Sequence, residues 1–262
     1  MSFFKSALSE KSERETPKFI SPWHRYSRLL REIVQGSKKT FSSPLGGFTH
    51  GKSSYHLPRL IFTGQNAESD PIRLAILAGW DGTALAGPRA ILEFSQILET
   101  EPSLGKGYEI YFYPILNPSG VEQGSLLSRS GKNFLKELGK GSDEPEIYYF
   151  EQDLAAKQFH GLIYLTSEPK NLFSIAMSSA NLEPVVQAAL KAASYFSEAK
   201  DISQNNALPK IAKKTLVRSN PFELTLITPQ RESFLLQVIS TVFALKTILE
   251  RYREIMAVQP NL

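Results

Sequence analysis

Apolar and polar positions along the 262-residue chain alternate between a helical and a strand-like rhythm. From about Trp23 to Val34, the residues Tyr26, Leu29, Leu30, Ile33 and Val34 recur at steps of three and four, which predicts an amphipathic helix stopped by Gly36. Residues 37–54, rich in Ser, Gly, Lys and Thr, read as a loop before a β-like run at 56–62. The run from Ile72 to Gly79 is almost wholly apolar and follows Pro71, as expected of a strand buried on both faces. After a glycine turn, Pro88 suits the first turn of a helix whose Ile91, Leu92, Phe94, Ile97 and Leu98 share one face as far as Thr100. A second buried strand is expected at 108–117, closed by the turn signal Asn117-Pro118-Ser119-Gly120.

Further along, the pattern predicts a helix over 146–158, a strand at 161–167, a helix over 184–197 opened by Pro184, a strand at 222–228 and a long amphipathic helix from about Ser233 to Ile255. Strands that are apolar throughout and alternate with helices predict the α/β class: a mostly parallel or mixed sheet with helices on both faces. There is no internal repeat or low-complexity tract, so residues 19–262 read as a single domain. Residues 1–18, charged and serine-containing, read as a flexible arm, with Pro17 and Pro22 marking entry into the folded part.

Composition narrows the function classes. A hydrophobic content of 42% with 21% charged residues fits a soluble globular domain. The net charge of +4 comes from 30 basic and 26 acidic residues spread along the chain, without the clustered stripe of a nucleic-acid footprint, so no nucleic-acid partner is expected. No apolar run reaches the ~18 residues of a membrane helix, and the start lacks a secretory apolar core. A cytoplasmic protein without a membrane partner is the expectation. The absence of cysteine removes thiolate chemistry, disulfides and Cys-ligated metal centres.

Gly46-Gly-Phe-Thr-His-Gly51-Lys52-Ser53 satisfies a phosphate-loop pattern, but Pro44 precedes it and a strand-like run with Pro58 follows, where a buried strand and a helix are required. It reads as a glycine turn. The four histidines, His24, His50, His56 and His160, form no metal-binding pair; His50 and His56 on one extended strand would lie roughly 20 Å apart. No nucleophile elbow surrounds a serine, and Asp143, Glu144 and Glu146 read as a solvated loop.

Four segments taken in order, Leu74–Phe94 (LAILAGWDGTALAGPRAILEF), Tyr111–Gly124 (YFYPILNPSGVEQG), Arg129–Leu138 (RSGKNFLKEL) and Gly161–Ser167 (GLIYLTS), resemble the zinc carboxypeptidase family and its succinylglutamate desuccinylase/aspartoacylase relatives. The likeness spans about residues 48–235 and implies a zinc carboxypeptidase-like, phosphorylase/hydrolase-like α/β fold. In that family a strand ends in a His-Gly-x-Glu-Pro-x-Gly type turn; matching Gly82, Ala86 and Gly87 places Asp81 at the zinc-binding His and Ala84 at the zinc-binding Glu. Thr166 stands at the third ligand, a His, and Ile227, within Thr225-Leu-Ile-Thr-Pro229, at the general base. Leu135 and Lys136 match the family's carboxylate-holding Asn and Arg, and Arg129 lies near another expected arginine.

A hydrolytic zinc needs about three protein ligands and a bound water activated toward pKa ~7, and an isoleucine cannot act as a base. The resemblance therefore implies a degenerate member with Asp81, Ala84, Thr166 and Ile227 as a vestigial pocket. No catalytic residue, metal ligand or cofactor is expected, and Lys136 and Arg129 are candidates to hold a peptide or a carboxylate-bearing small molecule. The alternative is an active metallo-hydrolase with unconventional zinc ligands, Asp81 with His50 or His160 and Glu168 or Glu223; a purely structural or partner-binding protein is the third class.

Overall fold

The computed structural model describes residues 21–67, 70–204 and 222–258. The predicted arm at 1–18 lies outside them. Helix α1 (Pro22–Gly36) is followed by β1 (Thr40–Ser42), β2 (Gly47–His50), β3 (Ser53–His56), β4 (Leu60–Thr63) and β5 (Ile72–Leu77). Then come α2 (Ala86–Thr100), β6 (Tyr108–Tyr113), α3 (Pro118–Gln123), α4 (Phe134–Glu137) and α5 (Pro145–Ala156). The rest comprises β7 (Gly161–Glu168), β8 (Phe173–Met177), α6 (Glu183–Ala193), β9 (Ala199–Gln204), β10 (Phe222–Pro229) and α7 (Phe234–Val258).

Eight strands form one mixed sheet in the order β1-β4-β6-β5-β7-β10-β8-β9. The central run β6-β5-β7-β10 is parallel, and antiparallel pairings bound it at β4–β6 and β10–β8. In β5, Leu74, Ala75, Ile76 and Leu77 are all fully buried, so the uninterrupted apolar run is explained by covering on both faces. One face carries α1, α2, α6 and α7 over Leu74, Ile76, Ile163, Leu165, Leu224 and Leu226. The other carries Phe134 of α4 and Ile147, Phe150 and Leu154 of α5 over Ala75, Leu77, Tyr113 and Tyr164. This is the expected α/β architecture. Among the described residues no helix is long and apolar enough to cross a membrane.

The differences from the sequence reading have local causes. The β-like run at 56–62 divides at Pro58 into the end of β3 and the start of β4, and the supposed loop at 37–54 contains β1, β2 and the start of β3. Within the phosphate-loop-like stretch, β2 and β3 pair His50 with Ser53, leaving Gly51-Lys52 as a two-residue hairpin turn with Gly51 at φ +59°. Glycine tolerates that left-handed backbone without strain. The strand expected at 108–117 stops at Tyr113 because Pro114 has no N–H for the ladder, and Asn117 then caps α3, where a plain turn was expected. The helix expected to reach residue 197 ends at Ala193. Strands β8 and β9 went unread.

Candidate functional site

Strand order locates the site before any side chain is considered. From β5 the chain crosses through α2 to β6 on one side, and from β6 it crosses through α3–α5 to β7 on the other. Successive crossovers that run in opposite directions open a crevice at the carboxyl ends of the strands, where α/β sheets place their ligands. The walls of this crevice are the turn 79–85 after β5, the segment 117–138 after β6, and the ends of β7 and β10.

Hydrogen bonds hold the turn after β5 in place. Asp81, at the position matched to a zinc-binding His, accepts through Oδ1 from the Thr83 N–H at 2.9 Å and the Thr83 hydroxyl at 2.8 Å. Its carboxylate thus closes its own turn. The Ala84 N–H donates to the Asp81 carbonyl at 3.1 Å, and the Ala84 methyl is buried. The Gly82 N–H donates to the Ser125 carbonyl at 3.0 Å, and the Tyr26 hydroxyl donates to the Leu85 carbonyl at 2.9 Å. On the neighbouring strands Thr166 and Ile227 stand opposite each other in the β7–β10 ladder, with Ile227 fully buried.

These side chains do not fit a hydrolytic zinc centre. A carboxylate, a methyl, a hydroxyl and an isoleucine provide too few donors, and among the described residues no group of three or more His, Asp or Glu side chains could hold a metal ion. Nor does the fold bring together the alternative ligands. His50 is exposed beside the hairpin turn, and His160 precedes β7, where its Nδ1 accepts from the Arg73 N–H at 3.0 Å. Arg73 is near the start of β5 and Asp81 lies beyond its end, which places His160 and Asp81 at opposite ends of the central strands. Glu168 pairs with Lys170 at 2.9 Å, and Glu223 is at the amino end of β10.

The crevice floor holds a network absent from the sequence reading. Asn117 is completely buried; its Oδ1 accepts from the Gly120 N–H at 2.9 Å, and its Nδ2 donates to the carbonyls of Trp80 and Leu127, both at 3.2 Å. Ser119, also buried, lies 3.1 Å from Asn117 Oδ1 and 3.0 Å from Glu146 Oε1. Its hydroxyl has one proton for these two acceptors. Burial raises the pKa of Glu146, whose Oε1 sits against the Ser119 hydroxyl.

Glu144 and Glu146 thus overturn the expectation of a solvated acidic loop. Glu144 N-caps α5 and is buried beside Arg129, with an Nε to Oε2 separation of 3.6 Å, whereas Asp143 is exposed. The available signal was Pro145 opening a helix with acids in and before its first turn. Arg129, one of the two proposed carboxylate holders, therefore already faces Glu144 and lies over the Phe48 ring at 5.9 Å. Lys136, the other, is exposed on α4.

A second titratable group lies farther down the sheet. Burial pushes the Glu223 carboxyl up to about 7, partly offset by the neighbouring Tyr164 hydroxyl. Against an unfolded value near 4.3, the folded chain keeps a proton that the unfolded chain has lost, so this group makes stability fall as pH rises from about 4.3 to about 7. Above that window its effect is constant. Glu223→Gln should flatten the slope, matching the parent near pH 4 and exceeding its Tm by a few degrees near pH 8. Melting curves across that range check this, and an unchanged slope contradicts it.

No family model matches the chain, and no curated protein does. Solved structures do. A protein of Shewanella denitrificans OS217 assigned as a metallopeptidase superimposes with a TM-score of 0.67 at 20% identity, covering 86% of this chain and 88% of that one. A metallo-carboxypeptidase of Burkholderia cenocepacia gives 0.71 at 13% identity, covering 88% and 69%. The chain has the metallo-carboxypeptidase fold. The likeness extends to a vertebrate structure, bovine thrombin-activatable fibrinolysis inhibitor, at a TM-score of 0.65 and 14% identity, covering 90% and 98%. The carboxypeptidase fold thus agrees with the resemblance carried by the four sequence segments.

Proposed function

We propose that this chain is a non-catalytic carboxypeptidase-like protein that binds a peptide or a carboxylate-bearing small molecule at the crevice beyond β5. The observation that supports this reading is the engagement of Asp81 within its own turn, beside the buried Ala84 methyl and the buried Ile227 side chain. A zinc-bound water would need about three converging ligands and a base, and the four matched positions offer one committed carboxylate and one hydroxyl. Crevice architecture is retained while the means of hydrolysis is absent from those positions.

For recognition, Lys136 carries an exposed ammonium with no carboxylate in ion-pair distance among the described residues. Arg129 keeps a third of its side chain exposed and lies at the same segment, so a ligand carboxylate would meet two cations, one of them partly neutralised by Glu144. Titration calorimetry with short peptides and N-acyl amino acids tests the proposal. Lys136→Ala should weaken the best ligand about tenfold, or about 1.4 kcal/mol, with no turnover by either protein. Chelator-sensitive hydrolysis, or binding indifferent to Lys136, would refute it.

A further inference from the structure

A groove runs between α2 and α7 on the helix-covered face of the sheet. Its volume is about 460 Å³, and its walls include Ile97 of α2 and Leu235, Val238, Ile239 and Val242 of α7, with the Arg89–Glu93 ion pair on one lip. Four large apolar side chains along the first three turns of α7 are exposed: Phe234, Leu235 at 65%, Leu236 and Phe243. Such a concentration on one helix end is more than scattered surface apolarity. The groove's apolar lining suits the apolar face of a short helix.

The chain itself carries a segment of that character. In Ser2-Phe-Phe-Lys-Ser-Ala-Leu-Ser-Glu10, the residues Phe3, Phe4, Ala7 and Leu8 fall on one side of a helical wheel, and Lys5, Ser6 and Ser9 on the other. Residues 11–20, Lys-Ser-Glu-Arg-Glu-Thr-Pro-Lys-Phe-Ile, connect it to the first described residue, Ser21.

The position of Ser21 makes the groove reachable. Tyr26 of α1 donates to the carbonyl of Leu85 at the head of α2, while at the other end the N–H groups of Lys38 and Lys39 meet the Glu99 carboxylate. Helix α1 therefore runs alongside α2 in the same direction, with Ser21 at the end where α2 begins. Helix α7 flanks α2 as well, and Arg89 and Glu93 line both the groove facing α7 and the smaller cleft facing α1. Neighbouring helix axes are about 8–10 Å apart, and ten linking residues span at most about 33–36 Å.

We infer that residues 3–8 dock in cis into the α2–α7 groove, with Phe3, Phe4 and Leu8 covering the exposed apolar side chains of α7. The occupant is this chain's own segment because its sequence carries an apolar stripe and only ten residues link it to Ser21, within reach of the groove. A tether of this length gives an effective concentration in the millimolar range, which favours it over an untethered copy.

Since the chain has no cysteine, a unique pair can be introduced to test this. Ala7→Cys with Leu235→Cys, the latter at an exposed position, should form an intramolecular disulfide under mild oxidation, identified by non-reducing peptide mapping of the full chain. Adding Phe3→Asp and Phe4→Asp, which alters only the segment, should slow its formation at least tenfold while the protein stays folded and monomeric. Cross-linking at the same rate with and without the aspartates would overturn the proposal, as would a predominantly intermolecular disulfide, which would assign the groove to a second copy. Failure of the pair to cross-link in a folded, monomeric protein would also overturn it.

Discussion

Gly82→Ala is expected to destabilise the protein by about 3 kcal/mol, lowering Tm by roughly 6–12 °C for a chain of this size. A Cβ added at Gly82 would lie 2.0 Å from the Gly120 carbonyl oxygen and 2.7 Å from the Ser125 nitrogen. Both obstacles are backbone, so no side-chain rotation relieves them. The turn after β5 would have to separate from the segment after β6, breaking the Gly82 N–H bond to the Ser125 carbonyl at 3.0 Å. Gly36 provides the comparison: a Cβ there meets nothing within 4 Å, and Gly36→Ala should stay within about 0.5 kcal/mol of the parent. Thermal denaturation of the two variants separates close backbone approach from a general cost of replacing glycine; equal Tm values would contradict the packing described for the crevice floor.

Asn117→Ala should cost about 3–5 kcal/mol, the largest single-residue effect anticipated here. Its side chain ties three parts of the crevice together: the Trp80 carbonyl in the turn after β5, the Gly120 N–H at the head of α3, and the Leu127 carbonyl beyond it. Truncation strips those buried groups of their partners and leaves Ser119 with Glu146 alone. Chemical denaturation with unchanged m-values would measure the loss. A loss below about 1 kcal/mol would mean that water replaces the amide, and the network would not be the structural floor proposed.

The central strands were legible because burial on both faces leaves an uninterrupted apolar record: 72–79 and 161–167 match β5 and β7 to within two residues. The hairpin of β2 and β3 was not, since most of its residues are exposed and its pattern resembles a loop. Strand β8, Phe-Ser-Ile-Ala-Met, is buried throughout, but its five residues follow β7 too closely to form a separate signal. At the crevice, sequence supplied residue types at Asp81, Ala84, Thr166 and Ile227. It could not reveal that Asp81 folds onto Thr83, or that Glu144 and Glu146 are drawn inside, because both depend on contacts made after the turns and helices assemble.

We propose that this carboxypeptidase-like fold holds no zinc at the crevice beyond β5. The most direct test is the zinc content of the full chain purified without added metal, measured by mass spectrometry before and after incubation with zinc and dialysis. Far less than one zinc per chain is expected in both cases, with no loss of Tm on adding a chelator. About one zinc per chain surviving dialysis and lost on substituting Asp81 would contradict it.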